Sequence, residues 1–126
     1  MLRSVDVAVD LFHLLEKTLA FLSTAQHPLT ILDAFSLKLL VAEGKFTLKS
    51  RCSECNIQLH DIAYEEGEPY CLKHAPAMAI VFEGTEVLLL FQITHSRSLQ
   101  EIDSWETSSA FDRKVYNLTH QILANR

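Results

Sequence analysis

Three cysteines and one histidine are spaced as metal ligands. The chain reads Cys52-x2-Cys55, fifteen further residues, then Cys71-x2-His74, and these are its only cysteines. Two residues between ligands let a tight turn aim both sulfurs at one point, and thiolates with an imidazole suit the borderline softness of Zn2+. Four protein ligands close a tetrahedron and leave no position for water or substrate. The set therefore predicts a structural zinc rather than a catalytic one. The same residues also read as three unrelated reduced thiols, or as a redox Cys-x2-Cys. The redox reading lacks the βαβ surroundings of the thioredoxin type. His60, five residues past Cys55, is an alternative to His74 if the loop folds differently. The loop from Asn56 to Tyr70 is polar and acidic, with Gly67 and Pro69 as turn signals. Its low apolar content makes the metal its expected main anchor, so losing one thiolate is expected to unravel the loop and destabilise the helices around it.

Composition bounds what this motif serves. The chain has 126 residues, is 48% hydrophobic and carries a net charge of −5. That length reads as one domain, residues 1–126, with a modest core. The acidic balance argues against a stand-alone nucleic-acid binder, which needs a concentrated basic surface. One local exception, Lys45, Lys49 and Arg51, lies next to the metal motif, and a run of this size is most simply a solvated face. The longest apolar run, Val87 to Phe91, is far short of a bilayer span. Asp6 and Asp10 interrupt any signal-peptide core, so a cytoplasmic location is expected, and reduced thiols agree with it.

The remaining elements read as helices that must position the motif. Leu11, Leu15, Leu19 and Leu22 form a stripe over Val5 to Leu22, widened by Phe12 and Leu14. Pro28 opens a second helix, Leu29 to Glu43, apolar on most sides except at Asp33, Ser36 and Lys38, with Gly44 as its stop. Lys45 to Ser50 connects to the metal module, about residues 51–75. Met78 to Phe82 reads as a short strand or extended link, and Thr85 as the cap of a helix over Glu86 to Thr94. Ser96 or Ser98 opens a short helix, Leu99 to Trp105. Thr107, Ser108 or Ser109 caps a last helix, Ala110 to Ala124, with Phe111, Val115, Leu118 and Ile122 on one stripe. The fold class is mostly α: a small helical bundle with an inserted Cys3His loop.

Catalytic patterns are missing. Gly44, Gly67 and Gly84 are isolated, so no phosphate loop exists, and Glu65 and Glu66 are adjacent, which in extended chain turns them to opposite faces. His13, His27, His95 and His120 are scattered. Trp105, Phe111 and Tyr116 are candidates for base stacking, but their near-helical spacing favours core packing. No enzyme activity is expected.

The order of these elements resembles the C-terminal part of the bacterial DNA repair protein RecO. The resemblance rests on Leu11-Phe-His-Leu-Leu15, Ala34-Phe-Ser-Leu-Lys-Leu-Leu40, the Cys-x2-Cys after a short gap, and Glu68-Pro-Tyr-Cys71. Ser36 departs from the family's usual glutamate, and Asp33 and Ala34 from its basic residues. RecO proteins place an OB-fold before this helical part; none is expected here, since Met1 to Leu22 already reads as helix. The resemblance implies a recombination mediator that binds single-stranded DNA, anneals strands and acts with RecR to load RecA. It also implies an apolar pocket for the acidic C-terminal tail of single-strand-binding protein, with Lys38, Lys45, Lys49 and Arg51 as the candidate cationic rim. DNA binding is expected to be weak without an OB-fold. A zinc-stabilised protein–protein adaptor unrelated to repair is the alternative.

Overall fold

The computed structural model describes residues 3–46 and 48–124, and the backbone alone for residues 3–11. Its elements are α1 (Arg3–Leu22), α2 (Pro28–Ala42), β1 (Ile62–Glu65), β2 (Glu68–Tyr70), β3 (Ile80–Phe82), α3 (Gly84–His95), α4 (Leu99–Asp103) and α5 (Ser109–Ala124). The described chain is mostly helical, as its periodicity predicts, with one small sheet.

Helix α2 is the central element, because a helix apolar on most sides must be surrounded. It packs against α1, α3, α4 and α5, and Ile31, Ala34, Leu37 and Leu40 are fully buried. Pro28 occupies its first turn. His27 at the cap makes no capping bond with its side chain, whose Nδ1 instead bonds the Asp103 carbonyl (2.6 Å); the Asp103 carboxylate accepts from the backbone N–H groups of Gln26 (2.8 Å) and His27 (2.7 Å). The Gln26 N–H is the main cause holding the Asp103 carboxyl below its usual range; burial opposes it and the His27 N–H adds to it. Thr30 donates to the Trp105 carbonyl, fastening the α4–α5 loop to the same helix end. At the other end Gly44 adopts φ +70, Gly44 N–H bonds Val41 O (3.0 Å) and Lys45 N–H bonds Leu40 O (2.9 Å). This Schellman closure confirms the stop that Gly44 predicts.

Of Met78 to Phe82, read as a short strand or extended link, Ile80–Phe82 forms the strand β3, and it pairs with β1, a strand that the periodicity does not predict. β1 joins β2 and β3 antiparallel in the order β2-β1-β3, with Ile62 opposite Phe82 and Tyr64 opposite Ile80. The expectation that Asn56 to Tyr70 has little apolar content is corrected here, since Ile62, Ala63 and Tyr64 are fully buried. An edge-on aromatic series runs Phe46–Tyr64–Phe82–Phe111 with centroids 5.0, 5.9 and 6.1 Å apart, joining the connector, both strands and α5. Burying each of the three phenylalanine rings contributes roughly 2–3 kcal/mol, and Tyr64 less, because its hydroxyl is buried without a hydrogen-bond partner. The loop is therefore anchored by its own apolar residues, with any metal as an addition.

Other expectations fare unevenly. All four stripe residues of α5 are buried, and Ser108 receives the Phe111 N–H as its cap. Ser98 caps α4. The cap of α3 is Glu83 in a reciprocal capping box with Glu86, rather than Thr85, because the glutamate reaches the N3 amide. Helix α1 is rotated from the predicted stripe. Leu15 and Leu19 are exposed (Leu19 59%), as is Phe12, while Thr18 is buried and Phe21, Leu22 and Ala25 meet the core. Asp103 pins Gln26 and His27, so the last turn of α1 sets this rotation. The Leu11 side chain, Asn125 and Arg126 lie outside the described residues. Tyr116, expected in the core, is 67% exposed.

Two predictions follow from this packing. The β1–β2 turn places Glu66 (φ 52) and Gly67 (φ 87) in the left-handed region, as a type I′ hairpin requires, and a Cβ at Gly67 would collide with the Lys45 carbonyl oxygen. Gly67→Ala should lower unfolding stability by about 2–3 kcal/mol, read from urea melts. Asp33 on α2 is buried beside Asp112, and His120 and Tyr116 are the other titratable groups lining that surface. Burial first, then the hydrogen bond and charge of Asp112, push the Asp33 carboxyl up to about 9. Between about pH 4 and about pH 9 the folded chain keeps a proton that the unfolded chain releases, so stability from this group falls as pH rises through that window. Asp33→Asn should raise the neutral-pH Tm by about 5 °C and flatten the decline, as measured by calorimetry across pH.

Candidate metal centre

The four predicted ligands converge. Cys52, Cys55, Cys71 and His74 place one ligand atom each within 4.8 Å of one another. The Cys55 and Cys71 sulfurs are 3.9 Å apart, and His74 Nδ1 lies 3.1 Å from Cys71 Sγ and 4.0 Å from Cys52 Sγ. A tetrahedral site with zinc-like bond lengths has S···S edges of about 3.8 Å and S···N edges of about 3.6 Å. The S···S separation lies close to the first value and the two S···N separations bracket the second, so the donor set fits one four-coordinate ion. The cysteines are not disulfide-bonded.

Local backbone chemistry builds each half. In the first knuckle the Asn56 N–H bonds Cys52 O (2.9 Å) and the Cys52 N–H bonds Ile57 O (3.0 Å). Asn56 takes φ 62, a left-handed position that asparagine tolerates, and this turns the chain after Cys55. The Glu54 N–H points at Cys52 Sγ (3.4 Å). In the second knuckle the His74 N–H bonds Cys71 O (3.1 Å), and Cys71 directly follows β2. The Ser53 N–H bonds Pro69 O (2.9 Å), fastening the first knuckle to β2.

The electrostatics favour a thiolate at one position. Burial pushes the Cys52 thiol up, but backbone N–H groups of Cys71, Cys55 and Glu54 outweigh it and bring the thiol down to about 6. At Cys55 the Ile57 N–H lowers the thiol, yet burial and the neighbouring Cys52 and Cys71 sulfurs together raise it. Such crowding of sulfurs is what a dication relieves. Cys52 is buried, Cys71 is half-buried, and Cys55 and His74 are exposed, so the cluster sits at the surface with one sulfur rooted inward. His60 is not part of it; its ring lies against Gly84 and beside Asp61, whose carboxylate accepts the Gly84 N–H.

The basic residues divide. Lys49 and Arg51 line an open depression of about 790 Å3 with Leu48, Cys52 and Glu68. Arg51 donates to Asn56 O (3.1 Å), and Lys45 is exposed just past α2. Lys38 does something else: its Nζ donates to the carbonyls of Thr94 (3.0 Å) and Ser96 (2.6 Å), closing the C-terminal end of α3. Burial, then the positive charges of Lys17 and Arg97, hold Lys38 below the usual lysine range. Sequence spacing alone does not reveal the Asp33–Asp112 pair; the one signal is an acid on a helix that is apolar on most sides.

No family model and no solved structure matches the chain. Among curated proteins, it is 32% identical over 95 residues to the DNA repair protein RecO of Chlamydia muridarum (strain MoPn / Nigg), which covers 74% of this chain. The chain spans 41% of the length of that relative. Among the described residues no helix is long and apolar enough to cross a membrane. Over that matched stretch the chain is similar to the DNA repair protein RecO, and its Cys3His group is close enough to hold one metal ion.

Proposed function

We propose that this chain is the zinc-stapled helical domain of a recombination mediator of the RecO kind, acting by binding partners and not as an enzyme. The similarity to the DNA repair protein RecO carries this reading. Zn2+ is the ion that best fits three thiolates and an imidazole in a closed tetrahedron. With all four positions filled, the ion supplies folding energy to Cys52, Cys55, Cys71 and His74 and no chemistry to a substrate. The partners are the acidic tail of single-strand-binding protein and RecR, and through them the domain assists RecA loading and strand annealing. Of the four candidate rim cations, Lys45, Lys49 and Arg51 are the ones exposed beside the knuckles for an acidic tail. Single-stranded DNA is bound weakly or only with an OB-fold. The adaptor reading is favoured by the net charge of −5 and by the engagement of Lys38 in closing α3.

Because β1 has its own apolar anchors, zinc loss should act locally. Cys52→Ser should lose zinc and lower Tm by roughly 10 °C. Hydrogen exchange should rise at residues 50–58 and 70–76 while helical circular dichroism persists. Full zinc loss with unchanged melting and exchange would remove the structural role. For function, a labelled peptide of the acidic tail is titrated against the zinc-loaded chain at low and moderate salt. Saturable binding that weakens with salt and drops about tenfold in Lys49→Glu/Arg51→Glu supports the repair reading. No binding by the folded, zinc-loaded chain favours the adaptor.

A further inference from the structure

A groove of about 630 Å3 lies between α2 and α5, and it shares no residue with the metal centre or the basic surface. Leu29, Leu32, Val115 and Leu123 make its walls apolar. Its floor is acidic, from Asp33 of α2 and Asp112 of α5. Asp33 is 7% exposed, and its Oδ2 is buried with no hydrogen-bond partner. It lies beside Asp112, whose carboxylate accepts from the Thr107 hydroxyl (2.5 Å). On the rim, the rings of Tyr116 and His120 are stacked with centroids 6.1 Å apart.

An acid set into an apolar helix face has no structural use that these contacts disclose. A buried, unpartnered carboxyl oxygen is a cost to the fold, and two carboxyls in contact add repulsion whenever both ionise. A cation brought into the groove offsets both. Apolar walls select a cation carried on an apolar segment, because an isolated hydrated ion gains nothing from Leu29 or Leu32. The exposed Tyr116 ring distinguishes further. A guanidinium is planar and weakly hydrated, so it stacks on the ring while its fork of donors meets a carboxylate, whereas an ammonium is a hydrated point charge. An acidic segment is repelled.

We propose that the α2–α5 groove binds an apolar peptide segment of a partner protein that presents one arginine to the Asp33–Asp112 carboxyl pair. The partner differs in charge from the acidic tail considered above, and the two readings stand or fall separately.

The zinc-loaded full chain is titrated with a fluorescent peptide holding one arginine between leucines, and with versions carrying glutamine or glutamate instead. The arginine peptide should saturate, the glutamine version should bind at least about tenfold more weakly, and the glutamate version should not bind. Asp33→Asn keeps the shape and removes the acid, so it should bring the arginine peptide down to the level of the glutamine one. Asp112→Asn should do the same, a second check should the first variant misfold. Tyr116→Ala should weaken the arginine peptide by about threefold or more. Equal affinity for arginine and glutamine peptides overturns the proposal, as does unchanged arginine affinity in both folded acid variants. Failure of the arginine peptide to saturate below about 1 mM also overturns it. Self-association that competes with the peptide and disappears in Tyr116→Ala would assign the groove to a second copy and overturn it too.

Discussion

Burial of Tyr64 and its neighbours on β1 is the constraint on which the rest of the chain depends. Tyr64 meets Phe46 on one side and Phe82 on the other, and Phe82 passes the contact to Phe111 of α5. This line of rings fixes the sheet against the helices. It also fixes β2, because the register of a strand whose neighbour is buried cannot slip without turning that neighbour's apolar residues outward. Cys71 follows β2 directly and Ser53 is bonded to Pro69, so both knuckles inherit their position from the core.

The Cys3His group thus sits at the edge of an already anchored sheet. Only Cys52 reaches inward; Cys55 and His74 face solvent. Backbone N–H groups aimed at Cys52 favour its thiolate before any ion arrives. Preorganised donors of this kind reduce the entropy an ion must overcome on binding.

Two surfaces of opposite character emerge from the same packing. Near the knuckles, Lys49 and Arg51 border an open depression. Between α2 and α5, an acid pair sits beneath apolar walls. Lys38, close in sequence to the first group, is drawn away by the carbonyls at the end of α3. Charge type and sequence proximity did not decide which cations remain available; the unsatisfied carbonyls of a neighbouring helix did.

What the sequence determined by itself was local. The ligand set was legible because a knuckle is closed by residues three apart, and the α5 stripe because its period matches one helix face. Gly44 was legible as a stop because a left-handed terminus asks for glycine. What the tertiary structure decided was which side of an ambiguous element faces inward. Ile62-Ala-Tyr64 is too short, amid acidic neighbours, to announce a strand, and its partner Ile80–Phe82 lies well along the chain. The apolar residues of α1 permit more than one inward face, and the Asp103 contacts to Gln26 and His27 select the one carrying Phe21 and Leu22. Asp33 and Asp112 meet only because α2 and α5 pack side by side. Local hydrogen bonds and periodicity are written in neighbouring residues, whereas burial is a property of whichever surfaces the whole chain brings together.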